Sequence, residues 1–441
     1  MRLYLLLLSL FFPLMAHAQA VIRDAEIESV VKDLAKPIFK VAGLNPNNVS
    51  VFIYQSEEPN AFVPEGKTMF ISTGLLSYSD KPETLAGVIA HEVGHITSGH
   101  VHARKGELEN LRKKALLSSV IGALAGLATK SPEVFLGTSA AGSEASLRQF
   151  LHFTRGQESS ADQAALKYLE KLGISNHGLI EFLDELKTEE RINSDNSTNY
   201  LRSHPVNQER INAIKEFNRN HSNSGGFDNN SYEKFRRIIA KVRAYTLSPR
   251  MVINLYNHDT STAGIYAMAI ANMRIPNQTQ ALALTDKLIH KEPNNPYFRE
   301  IKAQTFLEMK RVNESVEEFK KAYSLLPKNP LMKFQLAAVL NLTKRETQKS
   351  IALLEEAVSA EPDFPSNWHQ LGVAYGIVGD STNSNLALAQ SAVLREDAKM
   401  AKRMLLIAEK DVLESKNQRT ILRYKDIKQA VLELEEKPAN D

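Results

Sequence analysis

Cysteine is absent from the 441 residues. That excludes disulfides, thiol catalysis, Cys-ligated zinc and a lipid-modified N-terminal cysteine. A metal site in this chain must be built from His, Asp and Glu. A surplus of one charge is missing too: 54 Lys and Arg stand against 51 Asp and Glu, a net of +3. No Lys/Arg block of the kind nucleic-acid binders carry is present, so no nucleic-acid partner is expected. Apolar runs are short, and none reaches the roughly 20 residues a membrane-spanning helix needs. What is there, 43% apolar and 24% charged residues, is ordinary globular composition and rules out a disordered chain or a fibre.

Two short apolar runs carry information. Arg2 precedes Leu3 to Leu14, and Ala16-His17-Ala18-Gln19-Ala20 follows. A positive start, a short apolar core and small residues at alternate positions make a secretory signal peptide. Residues 1–20 are therefore expected to direct export and to be cleaved after Ala18 or Ala20. The second run, 115–128 (ALLSSVIGALAGLA), is too short to span. It suits a buried or lid helix near the cleft, or a peripheral contact with a membrane surface.

Residues 21–250 and 251–441 differ in texture. In the first part, Val49 to Tyr54 alternates and is rich in β-formers, and Thr68 to Ser72 reads as a second strand. Pro82 to about Lys105 reads as one helix, with proline in its first turn. Further helices are expected over 144–172 and 176–193. Asn-rich loops fall at 193–199 and 218–232.

The second part is helical throughout, and it repeats. Pro293, Pro327 and Pro362 are 34 and 35 residues apart, each followed by a second proline at Pro296, Pro330 and Pro365. A period near 34 with two helices per unit is that of the tetratricopeptide repeat. Trp368-His369-Gln370-Leu371-Gly372-Val373-Ala374-Tyr375 fits its W-x2-L-G-x2-Y signature. About four units are expected, then terminal helices near 397–414 and 417–436. Such units stack into a solenoid whose concave face takes extended peptides or partner helices.

The chemistry sits at His91-Glu92-Val93-Gly94-His95. On a helix, residues i and i+4 lie about 40° apart and about 6 Å along the axis. Both imidazoles then face one Zn²⁺, with Glu92 beside them to take a proton from the attacking water. Gly94 is small and is expected to leave space near the metal. Hydrolytic zinc takes a third protein ligand, and Glu158 is the best candidate. Asp162, one turn later, can hold the far ring nitrogen of a ligand histidine.

HExxH followed by Glu158-Ser159-Ser160-Ala161-Asp162 resembles the metallopeptidases that include HtpX and the CAAX prenyl protease. Asn60-Ala61-Phe62, Thr73-Gly74-Leu75-Leu76 and Ser203-His204-Pro205 with Glu209-Arg210 look like that family as well. One departure is Ala164-Ala165 where a glycine is usual. The resemblance implies an α+β, mainly α, zincin-like metalloprotease domain with a small sheet, followed here by the all-α repeat solenoid. It implies a single zinc on His91, His95 and Glu158, with Glu92 as general base; read from the residues themselves, His204 and Asp162 complete the expected catalytic set. Signal peptide, protease and repeats together are similar to the periplasmic protease-chaperones of outer-membrane protein quality control. Unfolded or misassembled envelope proteins are then the expected clients, and the outer-membrane barrel assembly machinery an expected partner.

His204 has three readings. It can swing onto the open metal position and hold the protease latent, it can donate to the oxyanion, with Arg210 as second candidate, or it can be a substrate-binding or structural histidine. His100, His102 and His152 are expected at the surface or behind the ligands, with His100 on the side away from the metal. The strand at 68–72 is expected to pair with extended substrate. The competing function is a non-proteolytic repeat scaffold or chaperone with a latent zinc site. A membrane-embedded prenyl-protein protease would need several spans, and the shortness of the apolar runs argues strongly against it.

Overall fold

Val49 to Tyr54 and Thr68 to Ser72 do form strands, and they are neighbours. The computed structural model describes residues 21–64, 67–100, 155–192, 200, 204–221, 225–415 and 417–436. The chain divides into two units after Thr246.

The first unit opens with β1 (Val21–Ile22) and α1 (Ala25–Val41), followed by β2 (Ser50–Tyr54), β3 (Ala61–Phe62) and β4 (Thr68–Ser72). The sheet order is β1-β2-β4-β3. β2 and β4 run parallel with Ser50 opposite Thr68, while β1 and β3 close the two edges antiparallel. β4 is therefore an interior strand. The expected pairing of substrate with 68–72 is corrected on this point, because β3 takes its free edge at Ile71 and Phe70. The period-2 pattern sends Val51, Ile53, Met69 and Ile71 into the core. Phe52, Phe70 and Phe62 stack on the other face at 5.6 and 5.3 Å.

Helices cover the core side. α1 is capped by Asp24, whose carboxylate accepts from the Glu26 and Ile27 amides. Its buried face, Ile27, Val30, Val31, Leu34 and Ile38, has helical spacing. α2 (Thr73–Tyr78) leads into α3 (Pro82–Thr97), which is buried from Pro82 to His95. A helix apolar all round belongs inside a domain, and its two histidines and Glu92 are carried in with it. α4 spans 155–171. α5 (His177–Ile192), α6 (Gln208–Asn220) and α7 (Asn229–Thr246) complete the unit. α7 is pinned to the start of α1 by a buried ion cluster: Lys241 lies 2.7 Å from Asp24, and Arg237 pairs with Glu26.

The expectations at 144–154, the loop at 193–199 and the apolar run at 115–128 lie outside the described residues. The loop expected over 218–232 is shorter than that, since α6 runs to Asn220 and α7 starts at Asn229.

The second unit begins with α8 (Pro249–Tyr256), capped by Ser248. Helix pairs follow: α9 (Thr262–Met273) with α10 (Gln278–Lys291), α11 (Pro296–Glu308) with α12 (Val312–Leu325), α13 (Pro330–Thr343) with α14 (Thr347–Ala360), and α15 (Pro365–Ile377) with α16 (Ser381–Val393). These are the four expected repeats, and Pro296, Pro330 and Pro365 each open a first helix. A Cβ on Gly372 would stand 2.7 Å from Leu388 Cγ, so the missing side chain permits the close approach of α15 and α16. α17 (Ala398–Glu414) and α18 (Gln418–Glu436) end the described chain. No described helix is long and apolar enough to cross a membrane.

Candidate metal centre

Three segments meet at one buried point. α3 supplies His91, Glu92 and His95, α4 supplies Glu158 and Asp162, and the chain entering α6 supplies His204 and Arg210. All seven are at most 4% exposed. Helical spacing explains the first two pairings, since i and i+4 residues share a face.

Gly94 has a different job from the expected one. A Cβ there would lie 2.8 Å from the Ala161 carbonyl oxygen, so the space is filled by the backbone of α4. The missing side chain lets α4 cross close enough to bring Glu158 against the two histidines.

Four donor atoms converge. His91 Nε2 is 3.1 Å from His95 Nε2 and 3.4 Å from His204 Nδ1. Glu158 carboxylate oxygens lie 3.2 Å from His91 Nε2, 3.3 Å from His95 Nε2 and 3.1 Å from His204 Nδ1. A tetrahedral cation bound at about 2.0–2.1 Å has ligand atoms about 3.3–3.4 Å apart. The donor set therefore fits a zinc-like ion in both spacing and chemistry. It is the His/Glu group that can hold a metal among the described residues.

The far side of each ligand is held. Asp162 Oδ1 lies 2.9 Å from His91 Nδ1, as expected of a carboxylate that fixes the ring. Arg210 grips the same carboxylate twice, at 2.7 and 2.9 Å, and donates to the Pro205 carbonyl at 2.9 Å. It also lies 3.2 Å from Glu158. With its fork spent this way, Arg210 is not placed as an oxyanion donor. The capping Asn207, which accepts from the Arg210 amide, fixes where α6 starts and so where the guanidinium points.

His100 lies behind a ligand, as one of its expectations had it, but not on the side away from the metal. Gly99, at φ +67, turns the chain back at the end of α3. That returns His100 to the buried side, with its Nδ1 2.9 Å from His95 Nδ1. Nine residues of helix would have carried it away, but the helix stops at Thr97. Tyr200 went unnoticed in the sequence. Its ring lies 4.8 Å from that of His204, tilted by 32°, and Phe182 packs edge-on behind it. The four-residue step from Tyr200 to His204, bonded through the His204 amide and Tyr200 carbonyl at 2.7 Å, was the available sign. His102 and His152 lie outside the described residues.

The electrostatics favour positive charge at the centre. Burial alone would lower His91, yet Asp162 and Glu158 outweigh it and hold it up at about 9. Burial takes His95 well below its ordinary value, with His91 and His204 beside it. Burial would raise Asp162, but Arg210 and then His91 keep it at about 2. Glu158 is held far below the carboxylate range against its burial, chiefly by His204. Two buried carboxylates held ionised, Glu158 and Asp162, suit a cation at this point.

His204 faces two ways. Its Nδ1 joins the donor set, and its Nε2 lies 3.4 Å from Glu92 Oε1. The imidazole thus fills the space between Glu92 and the other three ligands.

Residues 22–218 match the family model of peptidase family M48. Over 368 residues the chain is 23% identical to the "Beta-barrel assembly-enhancing protease" of Escherichia coli (strain K12), covering 79% of this chain and 71% of that protein. It is 28% identical over 187 residues to "Metalloprotease YcaL" of the same organism, covering 42% of this chain and 68% of that one. "Metalloprotease LoiP", also of that organism, is 26% identical over 199 residues, 44% of this chain and 73% of the relative.

Proposed function

We propose, from the match of residues 22–218 to the model of peptidase family M48, that this protein is an exported zinc metalloendopeptidase acting on misfolded or stalled envelope proteins. The convergence of His91, His95, Glu158 and His204 with Glu92 alongside is the observation that carries the reading. In this account residues 1–20 are the cleaved signal peptide, the following unit to Thr246 is the protease, and the repeats from Leu247 on recruit clients or partners. The site of action is the periplasm. The similarity over most of the chain to a protease named for β-barrel assembly supports outer-membrane protein assembly as its setting.

His91, His95 and Glu158 would hold the zinc. A bound zinc ion supplies Lewis-acid polarisation of the scissile carbonyl and of the attacking water. Glu92 takes the proton of that water and returns it to the leaving amine. Asp162 keeps His91 in the tautomer whose Nε2 faces the centre, and Arg210 keeps Asp162 ionised and in place. His204 and Glu92 cannot both do their work in the arrangement described, because the imidazole sits where water and substrate carbonyl must enter. Four protein donors make a closed site, whereas catalytic zinc keeps one position open. The arrangement therefore corresponds to a latent protease, and client access requires the segment carrying His204 to withdraw.

The test is degradation of an unfolded protein such as casein by the wild type and by Glu92→Gln at equal zinc content. A loss of about 10²–10⁴-fold with client binding retained is expected for removal of a general base. Equal rates in the two proteins would discard Glu92 as the base. Zinc-loaded protein with no cleavage of any unfolded client would leave a repeat scaffold in place of the protease.

A further inference from the structure

The last helical hairpin carries a surface the protease reading does not use. Ten large apolar residues are strongly exposed among the described residues, and six of them lie on α17 and α18: Met400, Leu406, Ile407, Leu413, Leu422 and Leu432. Leu413 is 75% exposed and Leu406 61%. Concentration of this kind marks an interaction surface more than scattered exposed leucines do.

Along one stripe of α17 the charges are basic. Lys399, Arg403, Leu406, Lys410 and Leu413 follow one another at steps of 4, 3, 4 and 3 residues. On a helix these steps place all five in a single stripe. The stripe lies opposite the buried face made by Ala401, Leu405, Ala408 and Val412. Lys399, Arg403 and Lys410 are exposed and make no ion pair among the described residues. The acids of α17 are mostly turned elsewhere. Glu409 accepts from Tyr424 and Lys428 on α18, and Asp411 accepts from Thr382 on α16. Glu414, exposed and one turn after Lys410, is the single acid beside the stripe, at its C-terminal end, against three cations.

We infer that the outer face of α17 docks the protein peripherally on an anionic lipid surface, leucines entering the acyl boundary and the three cations meeting headgroup phosphates. Long basic side chains can lay their stems along apolar surface while the charge reaches outwards, so cations interleaved with leucines cost little there. The same mixture suits other occupants badly. A partner helix packed along this stripe would have to bury Lys399, Arg403 and Lys410 at the seam positions, where apolar side chains belong. A second copy of the chain would set three cations against three cations. The inference does not depend on proteolysis, since no residue of the stripe belongs to the metal centre.

Flotation of the purified chain with vesicles tests it. Vesicles of phosphatidylcholine alone are compared with vesicles containing phosphatidylglycerol, at low and high salt. Two variants are run beside the wild type: K399Q/R403Q/K410Q, and L406S/L413S. Both alter exposed positions, and an unchanged thermal melt confirms that each is folded. The wild type is expected to float with the anionic vesicles only, and less so in high salt. The triple variant should partition about a hundredfold more weakly, at about fivefold per cation. The double variant should lose binding to anionic vesicles while its salt dependence persists. Failure of the wild type to float, or flotation unchanged in both variants, overturns the inference. So does a dimer that both variants abolish, or capture by an acidic polypeptide that the triple variant abolishes while vesicle binding is absent.

Discussion

At the scale of single residues, the centre depends on positions that never touch a substrate. Asp162 is the clearest, gripped by Arg210 and facing His91. Asp162→Asn keeps the shape but removes the charge on which both partners rely. Metal affinity is expected to fall about 10–100-fold, the usual cost of losing a group behind a metal ligand. Competition with a chromophoric chelator measures it, and unchanged affinity would remove Asp162 from the account. Gly94→Ala tests the crossing of α3 and α4. The added methyl would lie 2.8 Å from a backbone oxygen, and overpacking of that kind costs about 1–3 kcal/mol. Since α4 carries Glu158, the variant should also retain less zinc, whereas a merely local strain would lower stability alone. His91, His95, Glu158 and Asp162 were legible because a helix turns a spacing into a direction. His100 was not, because its place depends on where α3 ends and on the left-handed turn at Gly99. Arg210 was misjudged because a spacing does not say which carboxylate a guanidinium will choose.

At the scale of elements, patterning served strands and repeats well and edges badly. β2 and β4 announce themselves by alternation, but β1 and β3 have two residues each and no pattern to read. Without them β4 looked like a free edge. The repeat helices were legible because the prolines mark the openings of three of their first helices, at a fixed period. The anchoring of α18 was not, since it rests on contacts across more than 60 residues of chain: Arg419 and Arg423 both reach Glu355 on α14. Burial would raise the Glu355 carboxyl, but Arg423, Tyr375 and Arg419 outweigh it and lower it. A carboxylate lowered in the folded state adds stability above its unfolded value, near 4.3 for Glu, and loses it as pH falls through the folded value. Glu355→Gln should therefore lower the melting temperature at neutral pH and have a much smaller effect in acid below that range. An equal shift at both pH values would mean that charge at Glu355 contributes nothing.

At the scale of the whole molecule, each unit has its own core, and among the described residues the candidate metal centre lies in the first. A ligand that binds only the folded state raises stability by mass action. Chelation should therefore destabilise the unit that ends at Thr246. The only tryptophan, Trp368, lies in the repeats, with its indole N–H on the Pro362 carbonyl and Arg423 over its ring. Its fluorescence reports on that unit. Adding a strong chelator is expected to lower the melting transition followed by circular dichroism and to leave the Trp368 transition where it was. Movement of both by the same amount would show that the metal's contribution is shared by the whole chain.

In the function proposed above, one histidine closes an otherwise competent protease. Casein degradation by His204→Ala, compared with wild type at equal and saturating zinc, tests it most directly. A faster variant is expected, because the position between Glu92 and the three remaining ligands is opened while the general base stays. A variant as slow as the wild type, or slower, with its zinc still bound, would contradict it and return His204 to the oxyanion or to a structural role.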